Sequence, residues 1–266
     1  MVLGVDLGAS SADFVLMKKK RILGKKSIQP IALRQLPKAI SGTGFDAAKL
    51  EVIAVTGGRS ASALNKYGGI PVTKVGEIRA IGAGGLFLSG KRKAIVASLG
   101  TGTCIVEARS GKFRHCTGIG VSGGTLLGLS KRLLGTASWS EVNRLAGKGS
   151  LKRVDLLVKD IVGRGIGQLP GNATASNFAM QGKASRADIA LGIINLVAEV
   201  NAAIIALAVS ACGQKRIVLT GKLLAVPLVR KRLLAGLKML GVKAIVPKNY
   251  GVATAVGACV VASDWV

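Results

Sequence analysis

A turn rich in glycine and hydroxyl residues, closing an apolar strand, occurs three times along this chain, and that repetition constrains its fold more than any other feature. The clearest copy is Ser98-Leu99-Gly100-Thr101-Gly102-Thr103-Cys104, which ends the β-branched run over residues 94–99. A second, Thr117-Gly118-Ile119-Gly120-Val121-Ser122-Gly123-Gly124-Thr125, lies shortly after it, and a third opens the chain as Leu3-Gly4-Val5-Asp6-Leu7-Gly8-Ala9-Ser10-Ser11. Glycine lets backbone N–H groups approach an anion without Cβ interference, and threonine hydroxyls add donors. One such turn is commonplace in α/β proteins, and most isolated examples bind nothing. Three of the same chemistry point to a polyphosphate. Asp6 beside the first turn suits magnesium, which takes one or two carboxylates together with the phosphates themselves. Neither the P-loop pattern nor a G-x-G-x-x-G after a first strand is present, which removes support for those nucleotide folds.

Local patterning gives the turns a repeated frame. Residues 2–6 and 13–18 read as a hairpin around the first turn, 50–55 as a strand, and 77–88 as a helix. Residues 94–99 and 104–109 form a second hairpin, and the loop over 118–124 opens a helix over 125–134 whose first amides would face an anion. Helices follow over 138–145 and 154–162, then a long apolar helix to Cys212, a strand over 216–220, a helix over 227–240, a strand over 244–247, and a last helix from Val252. Two halves that each open with a phosphate hairpin describe a duplicated α/β fold of the actin-like ATPase (ribonuclease H-like) kind. Mixed sheets are flanked by helices, and a nucleotide cleft lies between the halves. The expected division is residues 1–90, with the first phosphate loop, and 91–266, with the second.

Composition narrows the rest. A chain of 266 residues, 49% hydrophobic with mean hydropathy +0.47, 37 glycines and few aromatics, suits tightly packed layers. Residues 189–212 are apolar enough to cross a bilayer, but they carry Asn195, Glu199 and Asn201 and lack aromatic flanks, so a core helix and no membrane association are expected. Four scattered cysteines and one histidine indicate neither a zinc site nor a disulfide framework, in keeping with a cytoplasmic protein. The net charge of +26 attracts polyanions, yet its lysine and arginine clusters carry no interleaved aromatics. Weak, salt-sensitive association with nucleic acid is the expectation, with affinity collapsing as salt rises.

In the order of its blocks, the chain resembles the type II pantothenate kinases. These blocks are Gly4-Val5-Asp6-Leu7-Gly8, Val55-Thr56-Gly57-Gly58, Glu77 opening a helix with Gly82–Gly84, Gly100-Thr101-Gly102-Thr103, residues 118–128, and the distinctive Leu169-Pro170-Gly171-Asn172-Ala173-Thr174-Ala175-Ser176-Asn177-Phe178-Ala179. The resemblance implies transfer of the ATP γ-phosphate to the 4′-hydroxyl of pantothenate, the first step toward coenzyme A, by a homodimer. It also implies Glu77 as general base and Asp6 near Mg²⁺ and the terminal phosphate. Gly8, Ala9, Ser10, Ser11, Thr101, Gly102, Gly123, Gly124, Thr125, Leu126 and Leu127 would line the phosphates of ATP, with Trp139 and Lys222 near the nucleoside. Arg114, His115, Gly118 and Gly120 would meet the substrate.

Three positions depart from the family pattern. Asp13 stands where a lysine follows the first loop, His115 where an arginine precedes the substrate loop with Arg114 one residue away, and Lys222 where a serine is usual. Arg114 is the expected guanidinium clamp, because imidazole cannot copy its bidentate fork. Two rivals remain at this stage. One is another kinase or ATPase of the same fold, such as an amino-sugar kinase or a BadF-like activator; the other is an inactive polyanion-binding protein.

Overall fold

The computed structural model describes residues 1–265 except Arg59, Ser110, Gln168 and Leu169. Leu169, which opens the block over 169–179, therefore lies outside the described residues. The first half runs β1 (Val2–Leu7), β2 (Ala12–Lys18), β3 (Arg21–Ile28), α1 (Leu36–Ser41), β4 (Val52–Thr56), β5 (Lys66–Tyr67), β6 (Ile70–Lys74) and α2 (Glu77–Ser89). The second runs β7 (Lys93–Leu99), β8 (Thr103–Arg109), β9 (Lys112–Ile119), α3 (Gly123–Leu134), α4 (Trp139–Ala146), β10 (Leu156–Leu157), α5 (Val158–Val162) and β11 (Thr174–Ser176). It continues through α6 (Arg186–Ala211), β12 (Arg216–Thr220), α7 (Pro227–Met239), β13 (Lys243–Ile245) and α8 (Ala253–Ala262).

Sheet order makes the internal repeat explicit. The first sheet is β3-β2-β1-β4-β6-β5 and the second is β9-β8-β7-β12-β13. In each, an antiparallel meander of three strands is extended by two strands parallel to its first member. The third strand of each meander, β3 and β9, was not expected from the sequence. β3 is an exposed edge strand dominated by lysine and arginine, a composition that discourages edge-to-edge pairing and hides the strand pattern. Its turn consists of Lys19 and Lys20, both at positive φ, without the glycine or asparagine that normally marks such a hairpin. The helix expected over 154–162 forms only as α5, preceded by the short strand β10.

The covering helices cross over between the sheets. Helix α2 packs on β7, β8 and β9 of the second sheet, while α8, the last helix of the chain, packs on β1, β2 and β4 of the first. A boundary near residue 90 thus separates the strands but not the helices that cover them. The two helices also pack against one another through small residues, where a Cβ on Gly84 would collide with the Ala253 carbonyl and one on Gly257 with that of Ala80. That close approach accounts for the small-residue run in α2, which is a packing surface against α8.

Helix α6 is the spine of the second half, wedged among α3, α4 and α7. Among the described residues it alone is long and apolar enough to cross a membrane, but 61% of its most apolar window is buried inside the protein. Ile193, Ile194, Val197, Ile205 and Val209 are almost wholly enclosed, each contributing about 1.5–3 kcal/mol of burial free energy. A core helix, as expected, is what the residues form.

Candidate active site

The two hairpins expected to bind phosphate come together at one place. Ser10, in the β1–β2 turn, and Thr101, in the β7–β8 turn, are joined by a hydroxyl contact of 2.7 Å across the halves. The third loop docks beneath the second. The N–H of Gly123 donates to the Gly100 carbonyl (3.0 Å) and that of Gly124 to the Thr101 carbonyl (2.9 Å). This corrects the expectation that the opening amides of α3 face an anion, because two of them are taken up by the hairpin. The helix is the hairpin's foundation. A Cβ on Gly123 would stand 2.7 Å from the Gly100 oxygen and 3.5 Å from Trp139 Cζ2, so only glycine fits without moving the turn. Gly123→Val should therefore weaken binding of a non-hydrolysable ATP analogue at least tenfold by displacing Gly100 and Thr101, about the weight of a charge-assisted hydrogen bond. Unchanged affinity in calorimetry would show that this hairpin holds no phosphate.

Beneath the same hairpin lies a buried polar brace that the sequence did not disclose. The Thr103 hydroxyl donates to Asn201 Oδ1 (2.6 Å) and lies 3.0 Å from Ser122 Oγ, while Asn201 Nδ2 donates to the carbonyls of Val121 and Val197. A polar residue inside α6 thereby fixes the strand, the loop and the start of α3 together, and a fully satisfied buried network of this kind favours one geometry. One other expected contact changes: Leu126 is completely buried in the second-half core and is a packing residue, while Trp139 is partly buried beside Gly123. Gly102, Gly118 and Gly120 are exposed and Gly8, Ser11, Thr125 and Leu127 partly so; Thr125 donates its hydroxyl to the Gly120 carbonyl. Ala9 is exposed in the first turn.

Asp6, the penultimate residue of β1, has Asp13 directly opposite on β2 and Thr56 opposite on β4. Burial, reinforced by the carboxylates of Asp13 and Glu77 and opposed by Lys222, pushes its pKa up to about 7. Beside it the Thr56 hydroxyl is buried without a hydrogen-bond partner, and a Cβ on Gly57 would come within 2.8 Å of Asp6 Oδ1. Oxygen donors, concentrated negative charge and a backbone with no side chain in the way fit a hard divalent cation. Among the described residues no three acidic, histidine or cysteine side chains converge to hold a metal alone, which suits an ion shared with phosphate oxygens.

Lys222 does not stand where the sequence suggested. Its ammonium lies 2.5 Å from Asp13 Oδ1 and donates to Ser11 Oγ at 2.7 Å, so it reaches from the end of β12 into the first phosphate hairpin. Asp13 also accepts the Ser27 hydroxyl. Two of the three departures from the family pattern are therefore partners of one another.

Glu77 is the first residue of α2 and the only acid in its first turn. It is exposed, and its charge is felt by Asp6 on one side and by Cys104 on β8 on the other, where burial first and then Glu77 push the thiol up to about 11. Cross-strand partners share a face, so the register of β8 and β9 decides what looks toward Glu77. Cys104 opposes Gly118 and Val106 opposes His115, with Cys116 forming a bulge between them. His115 Nε2 lies 3.7 Å from where a Cβ on Gly118 would stand. Arg114 is turned to the other face, where its guanidinium grips Glu107 Oε2 at 2.6 and 3.1 Å and touches Cys212 at the end of α6. This overturns Arg114 as the clamp: the bulge sends it away and leaves His115 on the Glu77 side. Accordingly, His115→Ala should raise the KM for the acceptor severalfold, whereas Arg114→Ala should leave it within about twofold, the weight of an exposed ion pair. The reverse pattern in steady-state kinetics would restore Arg114.

The described part of the distinctive block, residues 170–179, docks on the polar residues of α6 through Thr174 and Asn177. Thr174 and Asn177 donate to the two oxygens of Glu199, at 2.8 and 3.0 Å, and Asn195 donates to Asp155 and Thr174 while accepting from Arg232. The block is bound into the second half through these bonds.

A family model described as Fumble matches residues 91–236, more than half of the chain. The chain belongs to the Fumble family. A type II pantothenate kinase of Bacillus cereus (strain G9842) is 28% identical over 208 residues, covering 74% of this Fumble-family chain and 75% of that protein. Among solved structures, a ROK family glucokinase from Streptomyces griseus, in complex with glucose and AMPPNP, superposes with a TM-score of 0.66 at 17% identity, covering 99% of each chain. Component A of (R)-2-hydroxyglutaryl-CoA dehydratase from Acidaminococcus fermentans does so with a TM-score of 0.65 at 18% identity, covering 98% of this chain and 96% of that one. At such identities these two establish the actin-like ATPase fold of the Fumble-family chain and no more.

Proposed function

We propose that this protein is an ATP-dependent kinase that phosphorylates the 4′-hydroxyl of pantothenate. The observation that carries the reading is the meeting of a phosphate hairpin from each half, joined Ser10 to Thr101, beside an acidic helix start at Glu77 in a chain of the Fumble family. The Bacillus relatives named type II pantothenate kinase supply the acceptor.

In this reading the triphosphate lies between the two hairpins with its terminal phosphate toward Asp6, and the pantothenate hydroxyl approaches from the side of Gly118 and His115. Glu77 accepts the hydroxyl proton as the oxygen bonds to the γ-phosphorus and the bond from phosphorus to the β–γ bridging oxygen breaks, releasing ADP. Such transfers depend mainly on positioning and charge stabilisation, so one carboxylate of this kind suffices. Asp6 would hold Mg²⁺, whose contribution is to neutralise phosphate charge. The protein's own part is to fix the hairpins through the Thr103, Ser122 and Asn201 brace and to exclude other geometries.

The acceptor is tested by a coupled assay of ADP release against pantothenate, pantetheine, pantoate and hexosamines. Pantothenate should support the highest kcat/KM by at least tenfold, and a hexosamine in first place would transfer the protein to the sugar-kinase branch of the fold. A second copy of the chain is the expected partner, which sedimentation would register as twice 27.1 kDa.

A further inference from the structure

We propose that Lys222 is the phosphate-binding cation of the first hairpin, supplied by the opposite half of the molecule and held in place by Asp13. The inference rests on the reading of the cleft as an ATP site and adds a role that the position of Lys222 in the sequence does not suggest.

The first hairpin has an electrostatic problem. Asp6 and Asp13 stand directly opposite on neighbouring strands, with Glu77 close enough to act on the same carboxyl. Like charges so arranged repel one another, and they would repel a polyphosphate seated on Gly8, Ala9, Ser10 and Ser11. The strand offers no cation of its own there, since position 13 is itself acidic. Lys222 answers from the second half. It leaves the sheet at the end of β12, where Gly221 sits at φ +99 against the Leu99 backbone, and its four-carbon stem spans the cleft. The ammonium then meets Asp13 at 2.5 Å and Ser11 Oγ at 2.7 Å.

An ammonium has three donors, and these contacts use two. Asp13 is almost fully buried with a side-chain exposure of 8%, while Lys222 retains 29%, so the carboxylate is the more enclosed partner and the amine the more accessible one. Among the described residues it is Lys222 whose positive charge bears on Asp6. The amine is thus anchored from behind by Asp13, bonded to the very turn that would cradle the phosphates, and left with a free donor. Asp13, acting through Lys222, is a positioning residue. Because anchor and amine come from different halves, the pair also favours the arrangement in which Ser10 and Thr101 meet.

The experiment compares two ligands in calorimetry, a non-hydrolysable ATP analogue with Mg²⁺ and plain adenosine, on wild type, Lys222→Ala, Asp13→Asn, and the exchange Asp13→Lys with Lys222→Ser. Lys222→Ala should weaken the ATP analogue about 10- to 100-fold, the size of one charge-assisted hydrogen bond, and leave adenosine within about twofold. Asp13→Asn should show the same selectivity to a smaller degree. The exchange returns an ammonium to the hairpin from the first half and should recover most of the lost affinity. Equal weakening of both ligands by Lys222→Ala would place the residue at the nucleoside and overturn the proposal, as would a folded exchange variant that fails to regain ATP-analogue binding. No saturable binding of either ligand to wild type would overturn the nucleotide site itself, and this proposal with it.

Discussion

Glu77→Gln should cut turnover by about 10²-fold or more while leaving ATP affinity nearly intact, the usual size of a general-base contribution. The residue begins α2 behind Gly76, so its carboxylate stands at a positive helix end, and a purely structural role there would be worth only about 0.3–1 kcal/mol. What separates the two roles is location. Glu77 is exposed, its charge reaches Asp6 in the first sheet and Cys104 in the second, and the strand face it addresses carries Gly118 and His115. Glutamine keeps the shape and the hydrogen-bonding reach but cannot take a proton. Stopped-flow or steady-state turnover within a few-fold of wild type, in a variant that still binds ATP, would show Glu77 to be a helix-start residue and nothing more.

Asp6→Asn should abolish activity and yet make the protein more stable above neutral pH. The Asp6 pKa is raised to about 7 by burial first and then by Asp13 and Glu77, whereas an unfolded aspartate titrates near 3.8. Between these values the folded protein holds a proton that the unfolded chain has released, so this group makes stability fall as pH rises from about 4 to about 7. Its unfavourable contribution is complete above pH 7 and vanishes below pH 4. Asparagine carries no charge to bury. The melting temperature of Asp6→Asn should exceed that of wild type by several degrees at pH 8, and the difference should shrink toward zero as pH approaches 4. A melting temperature equal to or below wild type at pH 8 would mean that the carboxylate is not desolvated. The same titration predicts that Mg²⁺-dependent nucleotide binding by wild type weakens as pH drops below 7, because a protonated Asp6 is a poor cation ligand.

The glycine- and hydroxyl-rich turns were legible in the sequence because their pattern is local: small and hydroxyl residues in the turn and an apolar strand behind each. The features that were not legible depend on distance or register. The third strands β3 and β9 sit at exposed edges, where lysine replaces the alternating pattern, and the β2–β3 turn is made by two lysines in left-handed conformation. The facing of Arg114 and His115 turns on a one-residue bulge at Cys116, and such a bulge reverses which side chain meets the cleft without changing the local composition. Leu126 reads as part of a glycine-rich loop, but it begins the apolar stripe of α3 and belongs to the core. Asn195, Glu199 and Asn201 could be seen as polar positions in an apolar helix, although their partners, from Thr103 and Val121 to Asp155, Thr174 and Arg232, come from five other segments. Asp13 and Lys222 are the sharpest case. Each taken alone weakens the expected phosphate site, and only folding brings the second to answer the first.

Mass spectrometry of the products decides whether a phosphoryl group passes from ATP to pantothenate at the junction of the two hairpins. Incubation of wild-type protein with ATP, Mg²⁺ and pantothenate should give pantothenate carrying one added phosphoryl group in equimolar amount with ADP, with both products falling together in Glu77→Gln. ADP accumulating with inorganic phosphate while pantothenate keeps its mass would contradict the account.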